Sequence, residues 1–558
     1  QIGRCSISGG SFKTLHSGCS CAGQSRNHDT QASPMTFTID TKHQSDAPFP
    51  DNHLSPLMRA PAEVTGDPVA RVRWINEHLP AGSLYSDAKR AIHPESRASW
   101  RLSPEPFWIT EEMGNFLTNL GSDLQSFYRA INTLYLASVK GSQPAWVAEY
   151  FDLGRPETLV DYSRLNRTRR AIPGVIRPDL FYTDTGFVAT ELDSVPGGIG
   201  FSASMGALYA SLGDQVLGGE DGMINGFLGM VASAAGAPDP VTAIVVSDES
   251  GDYWDEMAWL AQACRDRGHQ VFAVRPQDVS FSEDGLKVPA GVTPGPRDPE
   301  PTDQTLPTIQ VSVVYRFFEL YDIKNVPKWE LMLYAAKKQK VVITPPIKSY
   351  LEEKLTFALM HHPALARYWS SEMTSPVFER VKAIIPETWI LDPRPLPPHA
   401  TIPGFEANGA PFQSWNQLMS LGQKDRRLVV KPSGFDATAW GSRGVKIGHD
   451  LPEGEWRDAV DAALAAFTST RSILQRFQTV RRATVPWYDF ETGTVKTMAG
   501  RARLTPYYFA SGTDGGVTLG GVMATVVPID KKLIHGMVDA VMVPCAIRRQ
   551  ESDTTLTT

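Results

Sequence analysis

Residues 177–201 read RPDLFYTDTGFVATELDSVPGGIGF, and the reading of this stretch decides the fold. Arg177 and Asp179 lead one apolar run, Thr183, Asp184, Thr185 and Gly186 supply turn chemistry, and Glu191 and Asp193 end the returning run. Side chains two apart on a strand point to one face, so Glu191 and Asp193 can share a hard cation that removes their mutual repulsion. A hairpin symmetric about Thr185 sets Asp179 near Glu191, so three acids and Arg177 converge. Spacing alone equally fits an exposed hairpin with solvated charges.

The second informative stretch is RLVVKPSGFDATAWGSRGVKI, residues 427–447. Lys431 ends an apolar strand and is followed by a loop carrying Ser433, Gly434, Gly441 and Gly444. Such a loop can turn backbone N–H groups toward phosphates while the lysine adds a point charge. It lacks the GxxxxGK[ST] spacing of a Walker A loop, and a plain hairpin has the same local look.

Around these two stretches the chain alternates element types. Apolar residues Phe116, Leu120, Leu124, Phe127 and Ile131 recur at three or four, which predicts a packed helix from Thr110 through Leu136. Residues 241–274 give a strand, an Asp/Ser-rich turn, a helix and a second strand, a βαβ unit. Pro276 to Pro307 reads as a surface loop with one hairpin at most. Beyond Val341 come VVITPP, a helix around EEKLTFALMHH, strands AIIPETWIL and RLVVKP, helix EWRDAVDAALAAF and strand SILQRF. The fold class is therefore α/β and α+β, in several domains.

Composition narrows the function classes. A net charge of -7 over 558 residues, with no long Lys/Arg tract, argues against nucleic acid as a partner. No run reaches about 20 uninterrupted apolar residues, since Gly222–Val246 is broken by Pro238, Asp239 and Pro240, so no membrane span is expected. Five cysteines do not make a disulfide scaffold at this length, which points to a reducing cytoplasm. Cys5, Cys19 and Cys21 lack zinc-site spacing, and residues 1–34, ahead of Met35, read as upstream translation or an appended segment. There is no GxSxG; Cys264 falls within a core helix, and His361 and His362 have no HExxH context, which argues against a hydrolase. His535 reads as a packed or solvent-facing histidine.

The first stretch resembles the metal-binding end of ATP-grasp ligases: R-x-D, a hairpin, then E-x-N/D-x-x-P-G. D-alanine:D-alanine ligase and glutathione synthetase carry versions of it. The resemblance implies Mg2+ on the phosphates of ATP held by Glu191 and Asp193, assistance from Asp179, and substrate or phosphoryl contact by Arg177. The second stretch is similar to the ATP-grasp lysine and its phosphate loop, with Lys431 in that role. Lys354, in SYLEEKLTFALM, stands where the first ATP-contacting lysine is expected. SILQRFQTV is similar to the strand against which adenine lies, with Gln475, Arg476 and Phe477 as contacts. GRARLTPYYF and TDGGVTLGGV resemble the arginine and the lid of glutathione synthetase, so Arg501 or Arg503 would bind substrate and Asp514 to Gly521 would close over it.

In most ATP-grasp enzymes the lysine loop precedes the E-x-N strand; here Lys431 follows Glu191 by 240 residues. The resemblance is thus to circularly permuted members, eukaryotic glutathione synthetase and glutathionylspermidine synthetase-like proteins. It implies four regions: 1–50 disordered or non-native; 51–240 helical, with the metal hairpin; 241–345 an inserted βαβ (Rossmann-like) substrate domain; and 346–558 the nucleotide-binding part and lid. It also implies an ADP-forming carboxylate–amine ligase acting through an acyl phosphate, with an amino acid, peptide or polyamine among its substrates. Three departures stand out: Asp193 replaces the usual Asn, Asp436 lies one position from the expected third metal ligand, and Arg476 replaces a hinge acid. A catalytically silent ATP-binding or scaffold protein on this fold is the alternative. The sequence carries no signal for oligomeric state.

Overall fold

In the computed structural model, the 18-residue strand Thr494–Ser511 organises the largest sheet. The described residues are 59–80 and 92–548, apart from 297, 299–300, 408, 441–442, 512–515 and 537. The expectations for residues 1–50, for Cys5, Cys19 and Cys21, for Gly441 and for the start of the lid at Asp514 lie outside them.

The strand order of this sheet is Phe107–Ile109, Val541–Ile547, Gly516–Pro528, Thr494–Ser511, Val175–Thr183, Gly186–Asp193. All its pairings are antiparallel except that of the short Phe107–Ile109 edge. The long strand serves two partners on one side. Its first part pairs with Arg482–Asp489, ending at Arg482 opposite Arg501, and the hairpin takes over at Arg503 opposite Phe181. That exchange sets Arg503 beside the 177–193 hairpin.

The helix expected near 110–136 spans Glu111–Val139. Its Thr110 side chain accepts the Met113 N–H at 3.2 Å, and Glu111 and Glu112 face the positive end of the helix dipole. Leu117, Leu120, Leu124, Phe127 and Ile131 are buried, whereas Phe116 is half-buried. The helix lies close on the sheet at Gly121, where a Cβ would sit 2.5 Å from the Tyr508 ring.

A second, four-stranded sheet is all parallel, in the order Val342–Thr344, Val313–Phe317, Thr242–Val246, Val271–Val274. Its two central strands are buried at every residue, because both faces are covered. Helix Trp254–Asp266 makes the crossover between Thr242–Val246 and Val271–Val274. The Pro-rich stretch after it is more ordered than a loop. Ser280–Ser282 and Gly285–Pro289 form the hairpin, and Thr308–Gln310 adds a third strand.

The third sheet is antiparallel, in the order Thr388–Ile390, Ser472–Arg476, Leu428–Pro432, Lys446–Ile447. The molecule is thus a mixed α/β fold built from several sheets. Among the described residues no helix is long and apolar enough to cross a membrane, and Cys264 and Cys545 are free and buried.

Candidate functional site

The hairpin that opened the sequence reading is built with one irregularity. Thr183 pairs with Gly186, so the turn is the two residues Asp184 and Thr185. Regular pairing from that turn would place Asp179 opposite Thr190. A β-bulge at Thr190 adds one residue to the returning strand, so Leu180 pairs with Ala189 but Asp179 pairs with Glu191 and Arg177 with Asp193. The Asp179–Glu191 approach expected from symmetry about Thr185 is therefore present, through the bulge. The extra residue also presents its carbonyl: Lys431 Nζ donates to Thr190 O at 3.1 Å.

Lys431 comes from the third sheet, on strand Leu428–Pro432. Its ammonium also donates to Gln475 Oε1 at 2.9 Å on the neighbouring strand, while the Gln475 amide donates to Thr388 Oγ1 at 3.3 Å. Lys354, at the head of helix Leu355–His361, reaches Glu191 Oε1 at 2.8 Å and the Ala439 carbonyl at 2.9 Å. Two lysines 77 positions apart in sequence thus meet at the hairpin.

The acids are held by different cations. Asp179 Oδ2 accepts from Arg503 Nη1 at 2.9 Å, and Oδ1 lies 3.4 Å from Arg177 Nε. Burial opposes its ionisation, yet Arg503, Arg177, Lys431 and Lys354 together hold its carboxyl below the usual range. Asp193 pairs with Arg177 at 3.0 Å and accepts the Val195 N–H at 2.9 Å; burial nonetheless raises its pKa. Burial pushes the Lys431 ammonium down to about 8, with Glu191 and Asp179 pulling the other way and Lys354 adding to the fall.

Of these groups, all but Arg177 and Asp193 line a cleft between the first and third sheets. Its walls include Asp179, Glu191, Lys354, Lys431, Gln475 and Arg503, together with Arg476, Phe477 and Val429. The open space is about 110 Å³, below the ~300–1,000 Å³ of preformed small-molecule pockets. A nucleotide-sized ligand therefore requires the walls to part.

Other expected site residues are engaged by other partners, and all of them except Arg476 stand outside the cleft wall. Ser433 and Gly434 do not face the cleft: the Ser433 hydroxyl and the Gly434 N–H, the latter at 3.1 Å, both donate to Glu353 Oε2. Gly434 is a glycine for packing, since a Cβ there would come 2.0 Å from the Glu352 carbonyl. Gly444 is likewise pressed against Pro432. Asp436 caps the turn Ala437–Ala439 and accepts from Thr438 N at 2.8 Å and from Thr470 Oγ1 at 2.7 Å, so both its oxygens are taken. Arg501 donates to the Lys531 carbonyl at 3.0 Å, away from Asp179. Arg476 pairs with Glu387 at 3.1 Å and stacks on Trp389.

Among the described residues no three His, Cys, Asp or Glu side chains converge as a metal-binding group. The four acids expected as metal ligands thus divide: Asp179 and Glu191 are directly opposed, Asp193 is turned to Arg177, and Asp436 is remote. The opposed pair offers oxygen to a hard cation, in competition with Arg177 Nε at 3.4 Å from Asp179 Oδ1. Asp179 Oδ1 is buried with no hydrogen-bond partner, and both groups offer carboxylate oxygen. Residues not anticipated from sequence are Glu353, which pairs with Arg155 behind the lysine loop, and Trp440, whose ring lies 5.5 Å from Lys354 Nζ. Only adjacency to Lys354 hinted at the first.

No protein-family description and no curated protein matches the chain. Among solved structures, it is similar to an apo glutathione synthetase-like effector from Globodera pallida, at 10% identity over 89% of this chain and 100% of that one, with a TM-score of 0.48. It is also similar to a putative gamma-glutamylcysteine synthetase from Methylobacillus flagellatus, at 11% identity over 78% of this chain and 87% of that one, with a TM-score of 0.34.

Proposed function

We propose that the protein is an ATP- and Mg2+-dependent carboxylate–amine ligase, ADP-forming, on a circularly permuted ATP-grasp fold whose parallel-sheet body, residues 241–345, carries the substrate pocket. One observation carries this reading: Lys354 and Lys431 converge with Asp179 and Glu191 across a single cleft between two sheets. Phosphates bring several negative charges, and a carboxylate nucleophile brings one more, so a working site must concentrate positive charge where they meet. Lys354, Lys431, Arg177 and Arg503 do so here.

Asp179 and Glu191 would hold Mg2+, which when bound neutralises phosphate charge. Lys431 and Lys354 bind the phosphates. Arg177, fixed between Asp179 and Asp193, orients the substrate carboxylate. The carboxylate oxygen attacks the terminal phosphorus and ADP leaves; the amine nitrogen then attacks the acyl carbon, phosphate leaves and the nitrogen loses a proton. Exclusion of water falls to the loop after Lys431, whose Trp440 already covers Lys354. The substrates are small molecules, the setting is the cytoplasm, and neither nucleic acid nor membrane takes part.

Incubation with Mg2+, ATP and pooled amino acids, peptides and polyamines tests the reaction. Phosphate release only when a carboxylate and an amine are both present is the expected result. Nucleotide binding without any release would favour the silent nucleotide-binding protein, a reading that the Arg177–Asp193 pair and the remote Asp436 support.

A pH dependence follows from Lys431. Phosphate binding requires its charged form, and in the free protein that form is lost as pH rises through about 8. Affinity for a non-hydrolysable Mg2+–ATP analogue, measured by calorimetry, should be constant on the acid side and weaken by up to about tenfold per pH unit above that point. An affinity unchanged up to pH about 9.5 would remove Lys431 from the phosphate contacts.

A further inference from the structure

We propose that Glu256, carried by the crossover helix of the parallel-sheet body, is a positioning residue for Arg177, acting through the Pro196-Gly197-Gly198 turn; this rests on the cleft above being the working site. Glu256 is wholly buried. Its Oε1 accepts the Gly198 N–H at 2.6 Å and its Oε2 the Phe201 N–H at 2.9 Å. These donors belong to the first turn of helix Ile199–Ser211, where N–H groups lack partners within the helix and the dipole favours a negative charge. The approach is close enough to dictate sequence: a Cβ on Gly200 would lie 2.1 Å from the Glu256 carbonyl oxygen.

The turn transmits this grip to the cleft. Gly198 has φ +90°, and a Cβ there would meet the Tyr507 hydroxyl at 2.4 Å. The Gly197 carbonyl accepts from Tyr507 at 2.8 Å and from Arg177 Nη1 at 3.1 Å. Arg177 continues to Asp193 and Asp179. Each link is a hydrogen bond or ion pair between buried or half-buried groups, so a shift of the turn moves the guanidinium that holds Asp179, a wall residue of the cleft.

Protonation of Glu256 puts a hydrogen on an oxygen that must accept one. Burial pushes its carboxyl up to about 7, although the N–H groups of Gly198, Phe201 and Gly200 and the charge of Arg177 act in the opposite direction. The charged and titratable groups facing it are Arg177 from the hairpin, Tyr253 at the head of its own helix, Tyr315 from the parallel sheet and Tyr507 from the long strand. Burial raises all three phenols, leaving Glu256 as the member of this set that titrates in mild acid. The folded carboxyl lies above the ordinary 4.5, so this group favours the fold more as pH falls from about 7. Acid release of Arg177 is therefore separate from acid unfolding.

Two readouts test this on the full-length protein. Phosphate release with Mg2+–ATP and the acceptor pool should fall about 10- to 100-fold in Glu256→Gln, with the nucleotide KM changed less than about twofold. The wild-type fall in rate below about pH 7 should be absent from the variant. Combining E256Q with Arg177→Gln should be no slower than R177Q alone, because both act on one guanidinium. Hydrogen exchange needs no turnover: wild-type protection of residues 197–201 should drop as pH falls through about 7, with E256Q low throughout. A wild type without turnover but with this exchange pattern would sink the ligase reading and leave the Glu256 linkage standing. Unchanged exchange and an unchanged pH profile in E256Q, or rate losses that multiply with R177Q, would overturn the linkage. If E256Q is recovered unfolded, Tyr507→Phe takes its place; it removes the second donor on Gly197 without changing charge. A rate loss of about 3- to 10-fold is then expected, and an undiminished rate overturns the proposal.

Discussion

Glu191→Gln is expected to lower Mg2+-dependent turnover by about 10²–10³-fold while leaving the protein folded. Glu191 stands opposite Asp179 in register and pairs with Lys354 at 2.8 Å, so it is the acid shared by the expected metal and lysine contacts. The amide keeps the shape and one acceptor oxygen but removes the charge. Lys354 retains the Ala439 carbonyl at 2.9 Å, so it is not stranded. The Glu191 side chain is 28% exposed, and a change at such a position costs the fold no more than about 1 kcal/mol. Turnover as a function of Mg2+ concentration, together with the urea midpoint, reads both effects. A variant with full activity at low Mg2+ would remove Glu191 from the metal.

Glu353→Ala should produce the largest loss of stability of any single change near the cleft, about 3–5 kcal/mol. Glu353 has no exposed side-chain surface, and its partner Arg155 is 2% exposed. Arg155 already has Nε and Nη1 without hydrogen-bond partners, and burial, with Arg471 nearby, pulls its pKa down to about 8. Removal of the carboxylate takes from that guanidinium its one ion-pair partner, leaving only the more distant charges of Asp152 and Glu352, and frees the Ser433 hydroxyl and Gly434 N–H. The strand that carries Lys431 then loses the anchor of its loop, so nucleotide affinity should fall together with the urea midpoint. Glu353→Gln, which keeps one acceptor, should fall between wild type and the alanine variant. A midpoint for E353A within about 1 kcal/mol of wild type would show that water or a rearranged Arg155 replaces the carboxylate.

The residues legible in the sequence were those whose neighbours in the chain are also their neighbours in space. Thr183 to Gly186 specify a turn and alternation specifies the strands that carry Arg177, Asp179, Glu191 and Asp193, whereas the bulge at Thr190 that pairs them had no local signal. The helix at 111–139 declared itself by the period of its apolar residues. Local patterns that fit two tertiary outcomes were not legible in this way. Glycines after Lys431 fit a phosphate cradle, yet Gly434 is small because the Glu352 carbonyl lies against it. Asp436 has the chemistry of a metal ligand, but nearby threonines and the Thr438 N–H use its oxygens first.

By itself the sequence determined the α/β character, the hairpin and the candidate charges, because these depend on periodicity and turn chemistry within short windows. Tertiary structure alone decided that Lys354 and Lys431 reach the hairpin, that the bulge offers Thr190 to Lys431, and that Asp193 goes to Arg177 rather than beside Glu191. The physical reason is burial: once water is excluded, each charge must take a partner from whichever strand or helix packs against it. That choice is made by the assembly of sheets far apart in the chain.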